Sequence, residues 1–365
     1  MVNSIVNKKI LFVTGGTGGH IFPALATYEI LKKTSSNILF ATDKRGFNNK
    51  ELSMFKPILI NSVGFEGKNL FFKVYSLLIL CVAILKALIF LKKKNIRIVL
   101  GFGSYVQVPF VVAALLLNRD VVLHEANAVI GRANKLFWKY IRIRTSAFYL
   151  GKKFHNTNII GMPVREKVLS LYKEEYIAPQ KKDKINILIL GGSLGASSLS
   201  YQLCKCITFL PYEIKKRLIV THQVKSDELT LVEKAYKKAN IKFIVDTFIK
   251  DISSNLRKNN LIISRSGAST LAEGSIAGIP SIYFPLPSSI GNHQYLNALT
   301  FKDKNAAWIF KEEDIVGGLF LDFLKNILIK PKVLKEASKN IRKFAKPNAG
   351  ENLAKLIVGL TNANL

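Results

Sequence analysis

The chain has 365 residues, enough for about two domains of ordinary size, each with its own core. Hydrophobic residues make up 49% and charged residues 21%, which excludes a disordered polyelectrolyte, and three cysteines without metal-ligand spacing exclude a disulfide-stapled scaffold. The formal charge of +30 calls for anionic partners and leaves three classes: nucleic acid, an anionic membrane surface, or phosphorylated substrates.

Residues 1–9 include polar and basic residues, and the apolar run after them is short, so a first strand is expected rather than a signal peptide. Residues 10–13 form that strand and run into Gly15-Gly16-Thr17-Gly18-Gly19-His20, after which 21–31 reads as a helix with Pro23 in its first turn. Further strands are predicted at 38–41, 58–60, 96–100 and 121–124; the third of these ends in Gly101-Phe102-Gly103-Ser104-Tyr105. A polar, Pro-marked stretch at 178–184 suits a linker. The grammar then restarts: a strand at 185–190, Gly191-Gly192-Ser193-Leu194-Gly195-Ala196, and a helix to about residue 209. Strands at 218–221, 242–245, 261–264 and 280–284 follow. Strands alternating with helical stretches predict an α/β protein of two doubly wound, Rossmann-like domains facing across a cleft, with ligands at the carboxyl ends of the strands.

The charge is unevenly placed. From residue 67 to 119 there is no acidic residue, while Lys68, Lys73, Lys86, Lys92, Lys93, Lys94, Arg97 and Arg119 are basic. Inside this window residues 70–91 are almost wholly apolar, interrupted among charged groups by Lys73 and Lys86. Three readings compete for that helix: a bilayer span, a buried crossover, or a surface helix that packs one side on the sheet and dips the other into the bilayer interface. A span would put Lys86 in hydrocarbon and separate two strands of one sheet. At about 100° per residue Lys68, Lys86 and Lys93 share an edge of the helix, where ammonium groups could meet lipid phosphates, so the interfacial reading is favoured.

A Gly-rich turn between strand and helix offers backbone N–H groups and the positive end of a helix dipole, a receptor for phosphate. Each half has one, in neither case spaced as a dinucleotide fingerprint or a P-loop. Gly103, Ser104 and Tyr105 could serve a second anion beside Gly15 and Gly16. Ser264-Arg265-Ser266-Gly267-Ala268-Ser269-Thr270-Leu271-Ala272-Glu273 again reads strand, small-residue turn, helix. There Glu273 could accept both hydroxyls of a ribose, or could be a first-turn carboxylate favoured by the dipole. No Asp-x-Asp pair is present and the five histidines lack ligand spacing, so no metal and no other cofactor is expected, and a leaving diphosphate falls to Ser193 and Arg165. His20, at a helix start, is the first choice of general base; Glu125 is the alternative base or a binding residue.

Together, residues 15–20, 101–109, 124–127, 161–165, 191–196, 265–273 and 292–298 resemble, in order, the segments of glycosyltransferase family 28, the GT-B-type inverting UDP-GlcNAc transferases of bacterial peptidoglycan synthesis. The resemblance covers most of the chain. It implies a domain at 1–163 for the lipid-linked acceptor, undecaprenyl-diphospho-MurNAc-pentapeptide, and for membrane association. It implies a UDP-GlcNAc domain at 164–345, and a C-terminal helix within 346–365 that packs back across the domains. It further implies Thr17, Gly18, Gly19 and Asn127 at the donor sugar, Arg165 and Ser193 at the diphosphate and Ile249 at the uracil. The turn from Gly267 through Ala268, Ser269, Thr270, Leu271 and Ala272 would line the nucleotide, with Glu273 on its ribose and Gln294, with His293, on the GlcNAc. Anionic lipids at the cytoplasmic face of the cell membrane would be partners. The chain departs from the family's common pattern at Ala126, Met162 and Gly291. Two rivals are a UDP-sugar epimerase, which has no use for a cationic apolar helix, and a nucleic-acid-binding protein, for which no basic stripe with aromatics is seen.

Overall fold

A computed structural model describes residues 8–35, 37–60, 70–191 and 197–362. The chain divides into two compact units, Met1–Arg165 with Lys346–Leu365, and Glu166–Ala345.

In the first unit β1 (Lys9–Thr14), β2 (Ile38–Thr42), β3 (Ile58–Leu59), β4 (Ile96–Gly101), β5 (Asp120–Glu125), β6 (Ile143–Ser146) and β7 (Asn158–Ile159) form one sheet. Its order is β3-β2-β1-β4-β5-β6-β7, with every pairing parallel. The central strand shows why its sequence is a near-continuous apolar run. Ile10 and Phe12 enter the core on one face of the sheet, and Leu11 and Val13 enter the core on the other, so both faces must be apolar. The sheet grows one way from β1 to β3 and the other way from β4 to β7. The chain therefore leaves β1 and β4 toward opposite ends of the sheet, and the loops after these two neighbouring strands fall at the switch point, at the strands' carboxyl ends.

The second unit repeats the plan with β8 (Ile185–Leu190), β9 (Leu218–Gln223), β10 (Lys242–Asp246), β11 (Leu261–Ser264), β12 (Ser281–Tyr283) and β13 (Trp308–Ile309). The order β10-β9-β8-β11-β12-β13, again parallel, puts its switch point between β8 and β11. Three strands escape the sequence reading: three of the four residues of β6 are polar, and β7 and β13 have two residues each. They exist as continuations of a ladder that the stronger strands begin, which no local pattern announces.

The C-terminal helix, Ala349–Asn362, returns to the first unit and packs on the first helix, Gly18–Leu31, adding Leu353, Ala354 and Ile357 to its core. Gly350 permits the close approach, since a Cβ there would stand 2.5 Å from Ile30 Cδ1.

The long apolar helix spans Leu70–Lys93, and its segment Tyr75–Lys93 has a mean hydropathy of 2.2, enough in length and composition to cross a bilayer. Its connectivity argues otherwise, because both its ends feed strands of one sheet. Ser76, Ala83, Ala87 and Leu91 are buried on one face, and the small residues among them let the helix Gln107–Leu116 approach. The opposite face presents Leu78, Val82, Leu85 and Ile89, all exposed. Lys86 and Lys93 are exposed as expected, whereas Lys68 lies outside the described residues.

Candidate active site

In the first unit the switch point brings together two loops, after β1, which ends at Thr14, and after β4, which ends at Gly101, 87 residues further along the chain. They touch: a Cβ on Gly15 would lie 2.5 Å from Ser104 Cβ, and one on Gly103 would lie 3.2 Å from Cδ2 and Nε2 of His20. Gly103 has φ +96° and Ser104 φ +67°, left-handed conformations that turn the second loop toward the first. Thr17 is the N-cap of the first helix, yet its hydroxyl bonds no backbone N–H and instead meets His20 Nδ1 at 2.8 Å. His20, at the third helical position and partly exposed, is thus held by Thr17 on one nitrogen and bordered by Gly103 on its other side. Because a hydroxyl can donate or accept, Thr17 can serve the ring before and after protonation.

Not every predicted phosphate donor is available. The N–H of Gly16 is given to Asp43 Oδ2 at 3.2 Å, and Asp43 Oδ1 accepts the N–H of Gly46 at 2.9 Å. The N–H of Gly103 is given to Gln107 Oε1 at 2.9 Å. These two amides hold the loops in shape, and the carboxylate of Asp43 beside Gly16 opposes an anion there, which moves the phosphate role away from both amides. Gly18 and Gly19, by contrast, supply the first turn of the helix, where N–H groups have no partner within the helix. Tyr105, with Ser104, leads into the helix Gln107–Leu116 and is partly exposed.

Glu125, 3% exposed at the end of β5, is the centre of a buried network. Its Oε2 accepts the N–H of Gly131 at 2.7 Å and Asn134 Nδ2 at 2.8 Å; its Oε1 accepts the N–H of Asn127 at 3.0 Å. Asn134 Oδ1 in turn accepts Gln107 Nε2 at 2.7 Å, which carries the network to the Gly103 loop. Burial pushes the Glu125 carboxyl above the usual carboxylate range, against the opposing pull of the N–H donors of Gly131, Asn127 and Asn134. Both its oxygens are engaged by N–H donors, the arrangement of a loop anchor, whereas a base must turn an oxygen toward substrate. Neighbouring His124 is bonded to Thr145, and burial lowers its pKa to about 3, so it stays neutral. Arg165 belongs to the first unit, its guanidinium stacked 4.3 Å from the centre of the Phe22 ring. The same ring lies 2.9 Å from where a Cβ of Gly18 would be, so Arg165 stands beside the first Gly loop.

In the second unit Ser193 and most of its loop lie outside the described residues. The turn after β11 is described: Gly267 caps the helix Ala268–Ala277, and Ala268, Ser269, Thr270, Leu271 and Ala272 form its first turns. Glu273 is buried and stands beyond the first turn, so it does not cap the helix. Gln294 Oε1 accepts the N–H of Leu286 at 2.9 Å, and His293 Nδ1 donates to Ile290 O at 2.9 Å. Asn297, further along the helix His293–Lys302, donates to Ser266 O at 3.2 Å, so the structure brings the segment of Gln294 to the turn after β11. Ile249, half buried, follows β10 at the far edge of the sheet. Sequence reasoning missed Phe22, Asp43 and Asn134, which act on loops distant in the chain and which no local motif marks; it gave no role to Gln107, Arg265 or Asn297, although they lie in segments it singled out.

Residues 10–144 match the model of the glycosyltransferase family 28 N-terminal domain, and residues 186–353 that of the family's C-terminal domain. The chain is 33% identical over 362 residues to UDP-N-acetylglucosamine--N-acetylmuramyl-(pentapeptide) pyrophosphoryl-undecaprenol N-acetylglucosamine transferase of Gluconobacter oxydans, covering 96% of this chain and 98% of that one. Among solved structures it resembles Acinetobacter baumannii MurG with a TM-score of 0.76 and 27% identity, over 96% of this chain and 99% of that one. A putative UDP-N-acetylglucosamine 2-epimerase of Listeria monocytogenes shares the fold alone, with a TM-score of 0.65 at 13% identity over 99% of this chain and 98% of that one.

Proposed function

The chain belongs to glycosyltransferase family 28, and from that premise we propose that it moves GlcNAc from UDP-GlcNAc to the C4 hydroxyl of undecaprenyl-diphospho-MurNAc-pentapeptide in peptidoglycan synthesis. The observation that carries this reading is the match to a relative of that name over nearly the whole of both chains. The C4 oxygen forms a bond to C1 of GlcNAc from the face opposite the diphosphate, and the C1–O bond to the diphosphate breaks with its electron pair leaving on UDP. Inversion to the β linkage follows. His20 takes the hydroxyl proton, and its support by Thr17 and Gly103 is what favours it over Glu125. Gly18 and Gly19 at the helix start, with Thr17 and Asn127, address the donor sugar; Arg165 and Ser193 address the departing diphosphate. Gly267 to Ala272 receive the nucleotide, Ile249 the uracil, Glu273 the ribose hydroxyls, and Gln294 with His293 the GlcNAc. Of the acceptor-diphosphate loops, Gly15, Ser104 and Tyr105 keep that role.

The same reading places the enzyme peripherally on the cytoplasmic face of the cell membrane, without a nucleic-acid partner. What supports it is the helix Leu70–Lys93, whose outward face is apolar where a soluble crossover helix would be polar, and whose nearest charges are cationic. A coupled assay of UDP release tests the reaction: UDP should appear only when the lipid-linked acceptor is added. Turnover of UDP-GlcNAc without acceptor, with formation of its 2-epimer, would favour the epimerase chemistry.

A further inference from the structure

Arg265, the first residue after β11, carries a charge into the interior of the second unit, with only 7% of its surface exposed. Its Nη1 donates to the carbonyl oxygens of Phe284 at 3.1 Å and Pro285 at 3.5 Å, and its Nη2 to Glu312 Oε1 at 2.6 Å. The next residue along that loop, Leu286, gives its N–H to Gln294 Oε1. From the helix of Gln294, Asn297 reaches back to Ser266 O. The path closes on itself: Arg265 to the 284–286 loop, Leu286 to Gln294, Asn297 to Ser266, which adjoins Arg265. A backbone N–H can only donate, so the amide of Gln294 must turn its oxygen inward to Leu286, leaving the NH₂ side to address a sugar oxygen.

We propose that Arg265, oriented by Glu312, is a positioning residue for the hexose half of the donor. It fixes the 284–286 loop relative to the nucleotide turn, and through Leu286 it sets where the amide of Gln294 stands. A planar guanidinium spans two carbonyl oxygens and a carboxylate at once, whereas an ammonium on a flexible stem does not hold that geometry. The inference rests on the reading of this unit as the UDP-GlcNAc site.

The test is a double-mutant cycle on the full chain, with Arg265→Lys, Gln294→Ala and their combination, and Glu312→Gln as a second route to the same clamp. Arg265→Lys should lower kcat/KM for UDP-GlcNAc by about tenfold or more while the Kd for UDP alone stays within about threefold of wild type. In the Gln294→Ala background the same change should cost less than about twofold, because the group it positions is gone. Full additivity of the two losses, or a parallel loss of UDP affinity in Arg265→Lys and Glu312→Gln, would overturn the proposal. A wild-type chain that neither binds nor turns over UDP-GlcNAc would instead overturn the underlying reading of the site.

Discussion

His20 meets the Thr17 hydroxyl at Nδ1, and its Cδ2–Nε2 edge lies where a side chain at Gly103 would stand. His20→Ala should lower kcat by about 100-fold or more with a much smaller change in the donor KM, as measured by steady-state kinetics; a loss of threefold or less would remove it as the base. Gly103→Ala adds a Cβ at φ +96° and 3.2 Å from the imidazole, so it should depress kcat while the folded state persists. Glu125 is expected to behave differently. Glu125→Gln replaces one carboxylate oxygen by an NH₂ that faces N–H donors, and should cost about 1–3 kcal/mol in denaturant unfolding, a structural loss that a solvent-facing base would not show. His20 and the Gly loops were legible in the sequence because strand, glycines and helix start are contiguous. Asp43, Gln107 and Asn134 were not, because what they do is tie one loop to another. That two of the expected phosphate donors, the amides of Gly16 and Gly103, are spent internally could be seen only once those partners were in place.

At the scale of elements, the strands carrying the switch points were readable from buried apolar runs, and the short β6, β7 and β13 were not, since the neighbouring strand rather than composition makes them strands. The long apolar helix was readable as unusual but ambiguous. Packing shows which face is covered: Ser76, Ala83, Ala87 and Leu91 are buried, and the large aliphatic side chains of Leu78, Val82, Leu85 and Ile89 point outward, Leu85 with 59% exposure. Replacing these four by Ser removes little from the core and much from any contact with lipid. The variant should remain folded and bind vesicles containing anionic phospholipid at least about tenfold more weakly in a sedimentation assay. Lys86→Ala should weaken binding by about fivefold, and high salt should erase that difference. Unchanged sedimentation of the fourfold variant would detach this helix from membrane binding.

For the molecule as a whole, the net charge of +30 excluded little until it was located. Part of it is gathered in the acid-free stretch from residue 67 to 119, around the apolar helix proposed to meet lipid. Folding also sets a pH dependence. His124 in the first unit and His222 in the second are buried, and loss of hydration lowers both from 6.5 to about 3. The unfolded chain takes up those protons from about pH 6.5 downward and the folded one only near 3. The unfolded state therefore binds more protons across that window, so stability is full above about pH 6.5 and falls as the pH drops through it. Thermal unfolding between pH 7.5 and pH 4.5 should show that decline, and a flat profile would remove these histidines as its source. The most direct measurement is to follow radiolabelled GlcNAc from UDP-GlcNAc in detergent with the lipid-linked acceptor, and to determine the anomeric configuration of the product. Label should appear in the lipid fraction, joined by a β linkage to the MurNAc C4 oxygen, with UDP released in equal amount. Label that remains in a UDP-sugar, or a product of retained configuration, would contradict the proposed transfer.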